Sequence, residues 1–216
     1  MDFSVINTEL VVTLLLLLLI GVGPKIALVP FLEKTKGLDP EKQREVGQLM
    51  VKTAIVAALV VFATGGLLLK LLHITTGAVA VAGGIILGLL AIKMALGPAE
   101  EVVDEGDLPV DHAKMAIYPL AVPFLFNPVG VTVLIIASSE AQGVATHALV
   151  VALVLVVGAF DWLVFSNIDK IGKRLNPTSL VISEVVFGIL LTAVAVQLVV
   201  SGLNGLGIIE TGGAHH

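Results

Sequence analysis

Cysteine is absent from the 216-residue chain, which removes disulfides, thiolate catalysis, thiol redox transport and cysteine metal sites together. Charge is scarce as well. Only 13% of residues are charged against 57% hydrophobic, and the mean hydropathy is +1.06. Ordinary globular domains carry about a quarter charged residues, so a soluble core of the usual kind is excluded. The formal net charge of −5 gives no argument for a nucleic-acid partner, and none is expected. The opening residues "MDFSVINTEL" lack the basic n-region of a signal peptide, so the apolar run behind them reads as a retained helix. No HExxH or GxSxG pattern and no ATP-binding motif occurs. Enzymatic activity, a metal and a cofactor are therefore not expected.

What the chain does contain is apolar runs longer than the roughly 18 residues that argue for a membrane span. Six can be drawn, at about Leu10–Leu32, Val46–Leu72, Gly77–Leu96, Ala113–Ser138, Thr146–Asn167 and Thr178–Leu203. The expected fold class is an all-α polytopic membrane protein in contact with the lipid bilayer. Residues 1–97 hold three spans, 98–112 form an acidic linker, and 113–207 hold three more. Residues 208–216, ending Gly-Gly-Ala-His-His, read as a tail of purification-tag composition. In "LDPEKQREVGQ", Asp39 stands at a helix N-cap and Pro40 at the first helical position.

Lysine and arginine set the orientation. Lys34, Lys36, Lys42 and Arg44 lie in the first loop, Lys93 and Lys114 flank the third, and Lys170, Lys173 and Arg174 lie in the fifth. The other loops and both tails have almost none. A multi-pass protein of the cell membrane with both termini outside the cytoplasm is expected. Lys52, Lys70 and Lys93 sit near span ends and read as snorkelling residues, and His73 and His147 as loop or interface histidines. The acids of 98–112 are irregularly spaced among glycine and proline, which reads as a solvated connection rather than a metal site.

Three spans is an odd number, so two homologous halves would lie in the membrane with opposite orientation. Pro24 and Pro128 are separated by 104 positions (128 − 24). The same offset pairs Gly84-Ile85 with Gly188-Ile189, Leu87 with Leu191 and Ala91 with Ala195. An inverted repeat follows as an expectation. Gly23-Pro24 and Asn127-Pro128 each read as a cap followed by a first-turn proline, since proline is tolerated there and disruptive in a helix interior. The first and fourth spans are thus expected to be broken near mid-bilayer, each second half-helix directing free N–H groups and a positive dipole end into a protein-enclosed cavity. The candidate substrate site comprises Gly23, Pro24, Lys25, Asn127, Pro128, Gly130 and Thr132, with Gly83 and Gly84 beside them.

Away from the span ends, three charges are singled out inside apolar runs: Lys25, Asp161 and Glu184. From the span midpoints and a rise of about 1.5 Å per residue, they lie about 7, 6 and 9 Å toward the cytoplasm. Ions at a common depth in hydrocarbon tend to pair. Lys25 is therefore expected to contact Asp161 or Glu184 as a coupling network.

The stretches "LDPEKQREVGQ", "ITTGAVAVAGGIILGLLAIKMALG", "AIYPLAVPFLFNPVGVTVLIIAS" and "AVAVQLVVSGL" resemble the MarC family of integral membrane proteins, over about Leu10–Leu203. The most specific pieces are Ala82-Gly83-Gly84-Ile85 and Pro119-Leu120-Ala121-Val122-Pro123. The resemblance implies six spans, an inverted repeat and, for some members, transport of glycine, alanine and similar amino acids. Family members usually carry Asn/Asp-Pro-x-Gly in the first half and Gly-Pro-Gly-like residues in the second. Here Gly23-Pro24-Lys25 comes first and Asn127-Pro128-Val129-Gly130 second. The expected function is a secondary transporter of a small polar solute, foremost a small neutral amino acid, driven by an ion gradient. A channel or structural membrane protein is the alternative, with an intramembrane enzyme behind it. A homo-oligomer is compatible with the sequence.

Overall fold

The computed structural model describes residues 6–96, 111–172 and 177–209, apart from the side chains of 93, 94, 177–181, 183 and 184. Most of the acidic linker, Lys173, Arg174 and most of the C-terminal tail lie outside the described residues. So do the side chains of Lys93 and Glu184.

Among the described residues the regular structure is entirely helical. Asn7 opens α1 (Thr8–Gly21) by accepting from the Leu10 N–H at 2.7 Å. After Val22-Gly23 the chain resumes as α2 (Pro24–Lys34). The long helix α3 (Pro40–Leu72) has Asp39 at its N-cap position and Pro40 in its first turn, although the Asp39 side chain makes no capping bond. His73, in the left-handed conformation at φ 53°, ends it. Then come α4 (Thr76–Leu96) and the single turn α5 (His112–Met115), which Asp111 caps. A π-type segment, Ala116–Leu125, follows and is interrupted by extended Tyr118 and Val122, each before a proline in a cis peptide. The rest is α6 (Pro128–Glu140), α7 (Gly143–Ser166), the short α8 (Ile168–Gly172) and α9 (Pro177–Gly205).

By length and composition four helices can cross a membrane: the α1–α2 pair as one 27-residue unit, α3, α7 and the Val185–Gly205 part of α9. The π-type segment and α6 form a fifth unit, bent by 69°. The sixth expected span, α4, has an apolar stretch of Thr76–Ile92, shorter than the others. The bend of the fifth unit has a sequence cause. Pro119, Pro123 and Pro128 each remove a backbone donor within ten residues, whereas the first unit meets only Pro24 and Pro30.

Packing inverts the soluble pattern. Leu67, Leu71, Leu89 and Leu163 are all at least 60% exposed, while Ala54, Ala58, Ala91, Ala116, Ala121 and Ala137 are completely buried. Many large aliphatic side chains thus face outward, where lipid accepts them, although Leu14, Leu18, Leu87 and Leu134 are completely buried, and small ones let backbones approach inside. The most extensive case is α4 against α9. A Cβ on Gly84 would stand 2.7 Å from the Ala195 carbonyl oxygen, and one on Gly188 would stand 2.9 Å from the Ala91 carbonyl oxygen. The remaining contacts run α3 to α6, α7 and the π-type segment, α4 to α6, α1 to α6 and α7, and α2 to the π-type segment and α9. At one end, Arg44 approaches Asp169 at 3.8 Å, joining the α3 N-terminus to α8. At the other, the His147 ring packs on Phe62 at 5.6 Å.

Overpacking a close backbone contact costs about 1–3 kcal/mol. Gly84→Val and Gly188→Val are each expected to lower the thermal unfolding midpoint in detergent, and the outward-facing Leu89→Val is expected to leave it nearly unchanged. Equal midpoints for all three variants would contradict this packing.

Candidate functional site

The two broken helices meet at their breaks. On one side, Val22 and Gly23 donate back to the carbonyls of Leu18 and Leu19 at 2.7 and 3.1 Å, which closes α1. That leaves the carbonyls of Ile20 and Gly21 past the last helical bonds of α1. Asn127, at the other break, takes both. Its backbone N–H donates to Gly21 at 2.9 Å and its Nδ2 donates to Ile20 at 2.7 Å. The same side chain caps its own helix, Oδ1 accepting from the N–H groups of Val129 at 2.8 Å and Gly130 at 3.4 Å. Asn127 is 0% exposed. One buried amide thus satisfies groups of both breaks.

Close approach demands small residues here. A Cβ on Gly21 would run into the backbone of Gly130, and one on Gly130 would strike the Gly21 carbonyl. Gly23 is fixed by the same kind of limit, since a Cβ there would meet the Leu19 carbonyl oxygen. Two breaks brought backbone to backbone require glycine on both sides.

The breaks differ in their capping. Asn127 caps α6, but Gly23 has no side chain with which to cap α2. The first-turn N–H groups of Lys25 and Ile26 therefore have no side-chain acceptor, while Pro24 has no N–H to satisfy. Pro24, Lys25 and Ile26 border a cavity of about 700 Å³ between α1, α7 and α9. It is not enclosed as expected but opens on the outer surface, where Lys25, Leu16, Phe160 and Leu190 are exposed. Among the described residues Lys25 is its one charged group. The Lys25 ammonium stands 4.5 Å from the centre of the Phe187 ring, a cation–π contact.

The expected pairing of Lys25 with Asp161 is not formed. Neither carboxylate oxygen of Asp161 has a hydrogen-bond partner, and Asp161 is 0% exposed. The two side chains point to different places: Lys25 is exposed and lies over the Phe187 ring, while Asp161 is buried on the α7 face that packs on α3. The alternative partner, Glu184, has its side chain outside the described residues.

Gly83 and Thr132 lie together, the Thr132 side chain occupying the space that a Cβ on Gly83 would need. Gly84 faces α9 instead. The site residues thus separate: Pro24 and Lys25 at the cavity, with Gly23 just before them; Asn127, Pro128 and Gly130 at the junction; Gly83 against Thr132 of α6; and Gly84 away from the others, against α9. Gly21 and Ile20 carry the junction but were not among the expected site residues. The signal for Gly21 was present, as the first glycine of Gly21-Val22-Gly23-Pro24.

The whole of this architecture falls inside a recognised family. Residues 8–207 match the family described as "MarC family integral membrane protein". The chain belongs to the MarC family of integral membrane proteins. MarC relatives include a UPF0056 membrane protein of Pyrococcus abyssi, 25% identical over 176 residues that cover 81% of this chain and 85% of the relative. The UPF0056 membrane protein YvbG of Bacillus subtilis is 27% identical, covering 87% of this chain and 92% of that protein. The UPF0056 inner membrane protein YhgN of Escherichia coli K12 is also 27% identical, covering 90% and 96%. No solved structure matches. This MarC protein is therefore a multi-pass integral membrane protein.

Loss of an N-cap costs about 0.5–2 kcal/mol, and stranding a buried carbonyl adds about 1–3 kcal/mol. Asn127→Ser, which can cap α6 but not reach Ile20, is expected to unfold between wild type and Asn127→Ala in thermal denaturation. A Ser variant as stable as wild type would show that the bond to Ile20 contributes nothing.

Proposed function

We propose that this MarC protein is a secondary transporter of a small carboxylate-bearing solute, neutral amino acids first, driven by an ion gradient. The observation that carries this reading is the uncapped break at Gly23. Two backbone N–H groups without a side-chain cap belong to residues that border the cavity, and Lys25 adds a positive charge to its lining. Such a combination suits a carboxylate. The opposite break is capped from within by Asn127, so only the α2 end is left to a ligand.

The reading includes six spans in two inverted three-helix repeats. The contact pattern supports it in part, because exchanging the halves maps several pairs onto one another, the contact of α3 with α6 being the exception. Gly84 against Ala195 becomes Gly188 against Ala91, each pair related by the offset of 104 (188 − 84). The contact of α4 with α6 has its counterpart in α9 with α2, and that of α3 with the π-type segment in α7 with α1. The front half of each broken unit lies beside the back half of the other, as opposed orientation requires. Alternating access then follows from rocking one repeat against the other about the junction. Basic residues at the α3 N-terminus and in α8 meet at one end, Arg44 reaching Asp169. That end is the cytoplasmic one by the positive-inside rule, leaving both termini outside.

The test is uptake of labelled glycine, alanine, serine and threonine into proteoliposomes under imposed ion gradients. Saturable accumulation of at least one is expected. A charge-assisted contact contributes about 1.5–3 kcal/mol, so Lys25→Met should raise KM at least about tenfold while Lys25→Arg retains most uptake. Unsaturable flux accompanied by unitary currents would instead make the protein a channel.

A further inference from the structure

The groups at the two breaks leave one buried titratable side chain without a task. Asp161 is completely buried in α7, and neither of its oxygens has a partner. Its surroundings follow from its neighbours on the same helical face. One turn before it, Gly158 packs against the Ile55 side chain of α3. One turn after it, the Phe165 ring meets Phe31 of α2 at 5.1 Å, and its Cβ would lie 3.0 Å from a Cβ on Gly47 of α3. Asp161 therefore sits where α7 packs on α3, with α2 reaching α7 one turn away through Phe31. On the facing helices, core residues Ala27 of α2 and Met50, Val51 and Ala54 of α3 are all completely buried and apolar.

The charged groups on the packed elements are engaged elsewhere. On α3, Lys52 lies 5.4 Å from the centre of the Trp162 ring, Arg44 approaches Asp169 of α8, and Lys42 pairs with Glu45. On α2, Lys25 lies over Phe187, with Glu33 and Lys34 at the far end of the helix. On α8, Lys170 occupies the last turn. On α1, the acid is Glu9, in the first turn. None of them hydrogen-bonds to Asp161.

We propose that Asp161 is an exchangeable proton site that couples a proton gradient to movement of α2 and α3 against α7. The inference rests on the transport reading and names its coupling ion and carrier. A bare carboxylate enclosed by apolar side chains is unfavourable by several kcal/mol and needs a cation. No group of three or more acidic or histidine ligands for a metal occurs among the described residues, and a proton needs only the one carboxyl. When the proton binds, the junction packs as seen here. When it leaves, the uncompensated charge favours an arrangement in which α2 or α3 moves away and admits water. Because α2 begins at the uncapped break, that movement reaches the cavity beside Lys25 directly.

The test uses the full-length protein in liposomes, with aspartate isotope-labelled at its side-chain carboxyl. Difference infrared spectroscopy across a pH titration should reveal an aspartic-acid carbonyl band that vanishes on alkalinisation and is missing in Asp161→Asn. Asp161→Glu should move the band to the unlabelled glutamate position. One proton per solute allows about tenfold accumulation per pH unit of gradient. Wild-type uptake of alanine should follow that gradient, and Asp161→Asn uptake, at whatever rate, should not. A band unaffected by both substitutions, no titrating band, or an unchanged gradient response in Asp161→Asn would overturn the proposal. Failure of wild type to move any solute, with the band present, would sink the transport reading alone and leave Asp161 as a proton site.

Discussion

Hydrocarbon gives no hydrogen bonds to an open backbone, and that constraint governs the middle of this molecule. Each break in a membrane helix sets free carbonyls on one side and N–H groups on the other, and these must be satisfied within the protein. Here the carbonyls of Ile20 and Gly21 go to Asn127, whose Oδ1 also holds Val129 and Gly130. The consequence propagates outward. Gly21 and Gly130 must lack side chains, the two broken units must cross at this point, and α3, α4 and α7 are arranged around the crossing. The break that Asn127 does not cap is then the one left facing a cavity.

A second constraint is the solvent itself. Because lipid is as apolar as leucine, burial of large aliphatic side chains gives little drive for helix association. The structure accordingly puts glycine and alanine at the close approaches between helices, most fully where α4 lies along α9, and turns part of its leucine outward. Charged residues within such helices have no neutral place. Lys25 uses the Phe187 face and Lys52 the Trp162 face, and Asp161 has neither a ring nor a partner.

Much of the fold was legible because its signals are local. Helices begin at Pro24, Pro40 and Pro128, where a first-turn proline follows a permissive or capping residue. The long helices end within a few residues of the limits of the apolar runs. The pairing of Gly84 with Ala195 was foreshadowed by the common offset, though only as similarity and not as contact. What stayed hidden depends on rotation and on tertiary approach. Depth along the membrane put Lys25 and Asp161 together, but Lys25 turns outward over Phe187 and Asp161 turns inward. Gly21 looked like one flexible residue among several until Gly130 was seen against it. The irregular course of Ala116–Leu125 needed three prolines acting together, and no single spacing announces a 69° bend.

The contact of the two breaks is the claim on which the rest stands, and glycine substitution reads it most directly. Overpacking a rigid backbone contact costs about 1–3 kcal/mol, whereas a methyl group entering ordinary van der Waals space costs little. Gly88, whose Cβ would lie 3.7 Å from that of Ala195, supplies the matched control within the same membrane. Thermal unfolding of Gly21→Ala, Gly130→Ala and Gly88→Ala, measured side by side in lipid nanodiscs, should give two strongly destabilised proteins and one that unfolds like wild type or later. If Gly21→Ala and Gly130→Ala unfold at the wild-type temperature, the two broken helices do not meet backbone to backbone.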